Sequence, residues 1–220
     1  MLERSVATIV SQVQSMKTLV NEFRDYARLP SAKLVPLDLN HLVHEVLHLY
    51  VGQQEAGHLH AELAEGLPSI VGDNTQLRQV IHNLVQNALD AVTDRLDGRV
   101  RVVTEAAKGE QGQVRAVRLS IIDNGPGFAE KVMKRAFEPY VTTKAKGTGL
   151  GLAVVKKIAD EHGARVRIVN LGKGGAVAAS EEEPVAPGHG AQVSLSFSRF
   201  APAAPALKAP AATAESGAAH

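Results

Sequence analysis

The chain has 220 residues, enough for one medium domain or for a domain with an appended element. Its 24 Lys and Arg nearly balance 23 Asp and Glu, and the net charge of +1 argues against nucleic-acid binding driven by bulk charge. Cysteine is absent, which excludes disulfides, thiolate metal sites and thiol nucleophiles, and with aromatics at 4% the core must be aliphatic.

In chain order, residues 1–30 come first. Leu2, Val6, Ile9, Val13, Met16, Val20, Phe23 and Ala27 alternate in steps of four and three, an a/d heptad seam. Pro30 stops this helix. A lone helix cannot bury such a seam, and the strict period favours half of an intermolecular bundle over packing on its own domain. Residues 31–36 read as a linker. Asp38 or Asn40 then caps a helix over 41–54, a short strand follows at 58–63, and 68–72 reads as a turn or strand edge. Asp73 or Asn74 caps a third helix from Thr75 to about Arg95. Alternating β-branched residues predict strands over 100–104 and 114–123, with a hairpin loop at 108–112. A glycine-punctuated stretch leads to a helix over 152–162. Two more strands follow at 165–170 and 191–197, separated by a loop excursion over 171–190. From Ala201 the composition falls to Ala and Pro, and so little buryable surface predicts a disordered tail over 201–220.

Helices alternating with a mixed, mostly antiparallel sheet predict an α+β fold. The expected form is a two-layer sandwich with helices on one face, preceded by one long heptad-patterned helix. No apolar run reaches the roughly 18 residues needed to cross a bilayer, and no secretory core opens the chain. It reads as soluble, and its composition fits the cytoplasm.

Three motifs carry chemistry. The first is Asp123-Asn-Gly125-Pro-Gly127-Phe128, directly after a strand. A carboxylate at a strand end, followed by two glycines around a proline, makes a tight turn with a fixed acceptor for an exocyclic amine such as adenine's. An ordinary hairpin turn uses the same residues. The second, Lys144-Ala-Lys-Gly147-Thr148-Gly149-Leu150-Gly151, opens a helix. Three glycines spaced by two at a helix N-terminus aim several N–H groups at one point, a geometry for polyphosphate, with a structural loop as the alternative. It is neither a Walker A loop nor a dinucleotide fingerprint. In the third, Asn83, Asn87 and Asp90 lie at i, i+4 and i+7 on an otherwise apolar helix. Such a polar row is costly unless it meets ligand, water or itself, and amide oxygens suit a hard ion such as Mg²⁺; plain solvent exposure is the alternative.

The order and combination of these motifs resemble the ATP-binding catalytic domain of bacterial sensor histidine kinases. The wider relatives are the gyrase B, heat-shock chaperone and mismatch-repair ATPases. Residues 83–90 look like the N box, 123–127 the G1 box, Phe137-Glu-Pro-Tyr140 the F box and 147–151 the G2 box. The likeness spans residues 37 to about 198, and is strongest to the nitrogen-regulation type through Phe-Glu-Pro-Tyr-Val-Thr-Thr-Lys and Asn-Ala-Leu-Asp-Ala. Residues 1–30 resemble the second helix of the dimerisation and histidine-phosphotransfer hairpin.

This resemblance implies two cofactors, ATP and Mg²⁺, and a set of roles. Asn87 would coordinate Mg²⁺ bridging the phosphates, with Asn83 in support. Asp123 would accept from the adenine amine, while Gly125 and Gly127 let the base lie against the backbone. Gly147, Thr148, Gly149, Leu150 and Gly151 would wrap the phosphates. The stretch from Phe128 to Gly147 would form the ATP lid, with Lys144 as its cation for the γ-phosphate. Asn83 and Lys144 are thus the catalytic candidates, and Asn83, Asn87, Asp90, Asp123, Gly125, Gly127, Phe128 and Lys144 join 147–151 in the ATP-contact set.

Two departures stand out. Asp90 occupies a position where many family kinases carry a basic residue. The acceptor histidine, in a His-Glu-x-x-x-Pro context, does not occur in the sequence: no proline follows His44-Glu45, and His82 reads as packing or rim. The acceptor is therefore expected upstream of Met1, on the first hairpin helix, with a homodimer through residues 2–27 and a response regulator receiver domain downstream. Hydrolysing relatives carry a glutamate four residues before the metal asparagine. Here that position is Asn83, which counts against an ATP-operated clamp and leaves a non-catalytic nucleotide module as the other reading.

Overall fold

The computed structural model describes residues 2–144, 147–172 and 190–202. Helix α1 (Leu2–Ala27) carries the heptad seam on its surface, with Val6, Ile9, Val13, Met16, Val20 and Phe23 each 50–65% exposed. The helix is tied down at its C-terminal end. The Lys157 ammonium donates to the Tyr26 carbonyl at 3.0 Å and sits 5.3 Å from the centre of the Tyr26 ring. Tyr26 and Leu29 pack against the core.

The segment read as a linker is in part a strand. β1 (Val35–Leu37) pairs antiparallel with β3 (Ile70–Gly72), placing Pro36 opposite Val71. A proline marks an extended chain whether or not it is paired, so only the arrival of β3 decides between the two. The Lys33 N–H donating to Asp73 Oδ2 at 2.8 Å fastens the same stretch further.

α2 (Leu39–Leu47) is capped by Asp38, whose Oδ1 accepts from the His41 N–H at 3.0 Å. Asn40 instead bonds the Ala64 carbonyl and the Thr104 hydroxyl. The single helix expected over 41–54 is broken: a 3₁₀ turn over His48–Tyr50 separates α2 from α3 (Val51–Glu55), and the turn buries Tyr50. α4 (Asn74–Val92) is capped by Asp73 and stops short of Arg95, where the Thr93 hydroxyl bonds back to the Leu89 carbonyl at 3.0 Å.

The main sheet has the order β2-β4-β5-β7-β6, formed by β2 (Leu59–Leu63), β4 (Val100–Lys108), β5 (Val114–Asp123), β6 (Arg165–Asn170) and β7 (Ala191–Phe197). β2 runs parallel to β4 and the other pairs are antiparallel, giving the mixed sheet expected. β4 extends four residues beyond the predicted 100–104, because cross-strand pairing with β5 overrides the weak strand preference of Ala106 and Ala107. After the short α5 (Glu130–Met133), helix α6 (Gly151–Glu161) completes the cover on one face, together with α2 and α4. Leu42, Val46, Ile81, Val85, Val155 and Ile158 from these helices meet Val100, Val102, Leu119 and Leu195 from the sheet in one aliphatic core.

His162 joins two helix ends. It is 1% exposed; its Nδ1 donates to the Ile158 carbonyl at 2.7 Å and its Nε2 accepts from the Asp73 N–H at 2.9 Å. The C-terminus of α6 is thereby locked to the N-cap of α4. The loop excursion and the disordered tail expected from sequence lie largely outside the described residues. The Ala201 N–H still bonds the Ser69 carbonyl at 2.9 Å.

Candidate nucleotide-binding site

A cleft of about 650 Å³ opens between α4, the turn after β5, the segments over 129–144 and 147–150 and the N-terminus of α6. On α4, Leu84, Val85, Ala88 and Leu89 point into the core, so the helical period turns Asn83, Asn87 and Asp90 to the cleft. The Asn83 amide lies 3.5 Å from the Gly151 carbonyl. The Lys144 ammonium donates to Asn87 Oδ1 at 2.9 Å and to Asp90 Oδ2 at 2.7 Å. Asp90 Oδ1 accepts from Gln86 Nε2 at 2.7 Å, so both carboxylate oxygens are engaged.

The opposite wall starts at Asp123, the last residue of β5, where antiparallel pairing sets it against Val100 and Ala191. Its side chain is 8% exposed in the cleft lining, with Oδ1 accepting from the Gly125 N–H at 2.8 Å. Burial pushes this carboxyl above the usual carboxylate range. That effect outweighs the hydrogen bonds from Gly125 and Ala191 and the Lys144 charge, which act the other way. Asn124 pins the turn from behind: its Oδ1 accepts from the Arg99 N–H at 2.8 Å and its Nδ2 donates to the Asp97 carbonyl at 2.7 Å.

Gly127, Phe128 and 147–151 also line the cleft, together with Lys144. Gly125 does not. Its N–H serves the Asp123 carboxylate, and a Cβ there would come within 2.8 Å of the Ala91 carbonyl, so the turn packs closely against α4 at this position. Gly127 has φ +74°, and its neighbour Phe128 exchanges two 2.8 Å backbone bonds with the Asn170 amide. Asn170 and Gln86 escaped sequence reasoning, since a lone Asn at a strand end and a surface Gln on a helix carry no local signal.

A backbone contact joins Tyr140 to Gly149. Tyr140 holds a positive φ of 66° and its N–H bonds the Gly149 carbonyl at 3.0 Å. Gly149 has φ +73°, and a Cβ there would fall 2.6 Å from the Tyr140 carbonyl carbon. His82 stands exposed on the cleft wall, as a rim residue does, with its Nδ1 2.8 Å from the Tyr50 hydroxyl. Burial, and after it the Asp90 charge, pushes that hydroxyl up to about 12.

The donor set fits a divalent cation that keeps some of its shell. Asn87 Oδ1 already accommodates a positive charge, the Lys144 ammonium, beside a carboxylate. Among the described residues, no group of three or more His, Asp or Glu forms a self-sufficient metal site. Phosphate oxygens and water would have to complete the shell, the binding mode in which Mg²⁺ is commonly found.

This arrangement of helices, sheet and cleft is the histidine kinase type of ATPase fold. Full-length ShkA, solved in complex with AMPPNP, superposes with a TM-score of 0.68 at 29% identity over 93% of this chain and 40% of its own. The catalytic domain of histidine kinase ThkA gives 0.58 at 27% identity over 76% of this chain and 96% of that one. The model of the family described as "Histidine kinase-, DNA gyrase B-, and HSP90-like ATPase" matches residues 72–200, and the chain belongs to that family. Nitrogen regulation protein NtrY of Azorhizobium caulinodans is 34% identical over 173 residues, 76% of this chain and 21% of NtrY. Sensor histidine kinase ZraS of Escherichia coli O157:H7 is 34% identical over 171 residues, 76% of this chain and 35% of ZraS. The chain thus spans about a fifth to a third of the length of these curated relatives. Among the described residues no helix is long and apolar enough to cross a membrane.

Proposed function

We propose that this chain carries the Mg·ATP-binding catalytic region of a two-component sensor histidine kinase. It transfers the γ-phosphate to a histidine on a phosphotransfer helix, for onward transfer to a response regulator receiver domain. The observation that carries this reading is the single cleft in which Asn83, Asn87 and Lys144 on one side face Asp123 on the other, with 147–151 between them. A solved relative holding AMPPNP supports it.

In this reading Asp123 accepts from the adenine amine and Gly127 and Phe128 bound the base. The 147–151 backbone cradles the phosphates, Asn87 holds Mg²⁺ with Asn83 beside it, and Lys144 supplies the lid cation. When bound, the metal draws negative charge from the phosphates and orients them for in-line transfer. Asn83 offers an amide and no carboxylate to activate water, which favours transfer over hydrolysis. Residues 2–27 serve as the second helix of the phosphotransfer hairpin and dimerise through the exposed seam. The reading puts the reaction in the cytoplasm, the compartment that supplies ATP.

The test mixes the chain with a separate histidine-bearing hairpin and ATP labelled on its γ-phosphate. Acid-labile label should appear on the hairpin in the presence of Mg²⁺ and stay negligible on the chain alone. Label on the isolated chain mapping to His44 or His82 refutes this division of roles.

A further inference from the structure

Of Asn83, Asn87 and Asp90 on the cleft face of α4, only Asp90 has no part in the reading above. Its carboxylate is held from two sides. Gln86, one turn back on the same helix, donates to Oδ1 at 2.7 Å, and Lys144 donates to Oδ2 at 2.7 Å. The lysine is itself fixed at its backbone. Its N–H bonds the Thr142 hydroxyl at 3.1 Å, and its carbonyl accepts from the Gly147 N–H at 3.1 Å. An ammonium has three protons to give, and two of them are committed, to Asp90 and to Asn87.

From this geometry we infer that Asp90 is a positioning residue that competes with the γ-phosphate for Lys144 and so sets how strongly the site prefers a nucleoside triphosphate over a diphosphate. Gln86 anchors the carboxylate to the helix face, so Asp90 cannot follow the lysine towards a ligand. To reach a γ-phosphate, Lys144 must give up a charged partner at 2.7 Å; a diphosphate makes no such demand and leaves the pair intact. The Lys144 and Asp90 side chains are 39% and 41% exposed, so the competition is partly screened by water. Pairs of that exposure correspond to about a two- to fivefold effect on an equilibrium.

The inference rests on the Mg·ATP reading of this cleft, and the experiment separates the two. Mg·ATP and Mg·ADP are titrated calorimetrically into the wild type, Asp90→Asn, Asp90→Glu, Lys144→Ala and the Asp90→Asn/Lys144→Ala double variant. Asp90→Asn should raise the ATP-to-ADP affinity ratio about two- to fivefold, and Asp90→Glu should return it towards the wild-type value. With Lys144 removed, Asp90→Asn should leave the ratio unchanged, because the competition needs both residues. An unchanged ratio in Asp90→Asn, or an equal change with and without Lys144, overturns the role of Asp90 and reduces it to a background charge. Failure of the wild type to bind either nucleotide defeats the Mg·ATP reading itself. Should Asp90→Asn fold poorly, Asp90→Ser makes the same comparison.

Discussion

Replacing Asp123 by Asn separates what the carboxylate does for a ligand from what it does for the fold. The side chain is 8% exposed, and its Oδ1 takes the Gly125 N–H at 2.8 Å. An amide oxygen accepts that bond equally well, so the turn survives the change. Burial holds the Asp123 carboxyl above its ordinary range. The fold therefore favours the protonated form: its stabilising contribution is complete below the ordinary carboxylate pKa and is lost as pH rises through the raised one. Above the raised pKa the ionised group is a cost, and the neutral Asn variant should melt there at the same temperature or higher. Nucleotide binding moves the opposite way. A hydrogen bond to an ionised acceptor contributes about 1.5–3 kcal/mol, so Mg·ATP affinity should fall roughly ten- to a hundredfold. With its Oδ1 kept on Gly125, the variant's Nδ2 would offer a donor to guanine's oxygen, and the preference for ATP over GTP should narrow. Calorimetric titration with both nucleotides, alongside thermal melting of the free protein, reads all three effects. A lowered melting temperature together with equal losses for ATP and GTP would mean that Asp123 holds the turn and does not read the base.

Three other substitutions probe separate parts of the molecule. Asn87→Ala removes the amide oxygen that accepts from Lys144, and nucleotide affinity should then no longer depend on Mg²⁺; titrations with and without the metal check this. Gly149→Ala forces a side chain into φ +73° against the Tyr140 backbone, 2.6 Å away. It should destabilise the protein by about 1–2 kcal/mol or more in urea and weaken ATP binding, and an unaltered unfolding midpoint would count against the close approach of Tyr140 and Gly149. His162→Ala strands the Asp73 N–H and leaves a hole between α4 and α6, at a cost of about 2–4 kcal/mol on the unfolding free energy; a loss below about 1 kcal/mol would show that the ring does not lock the two helices.

Much of the fold and of the site was legible in the chain itself. The 3.6-residue period of α4 placed Asn83, Asn87 and Asp90 on one face, and the structure turns that face to the cleft. A strand running into Asp123 and glycines opening α6 located the other wall. Asp38 and Asp73 stood among the expected caps and are the ones used. These features depend on residues a few positions apart, where propensity and periodicity act directly. What lay beyond them depends on distant segments. The pairing of β1 with β3 needed partners far along the chain, Gly72 for Val35, Val71 for Pro36 and Ile70 for Leu37, and no local preference of Val35 or Pro36 announces them.

 The exchange between Asn170 and the Phe128 backbone closes over 42 positions, and the Lys144–Asp90 contact over 54. Gly125 shows the same limit: a Cβ there would come within 2.8 Å of the Ala91 carbonyl, a constraint that only the arrival of α4 beside the turn creates. Which residue types stand at which helical and strand positions was thus determined by the sequence alone, since short-range sterics and periodicity act within a few residues. Which of them meet was decided by the tertiary structure, because a long-range contact depends on how the aliphatic core brings separate helices and strands together.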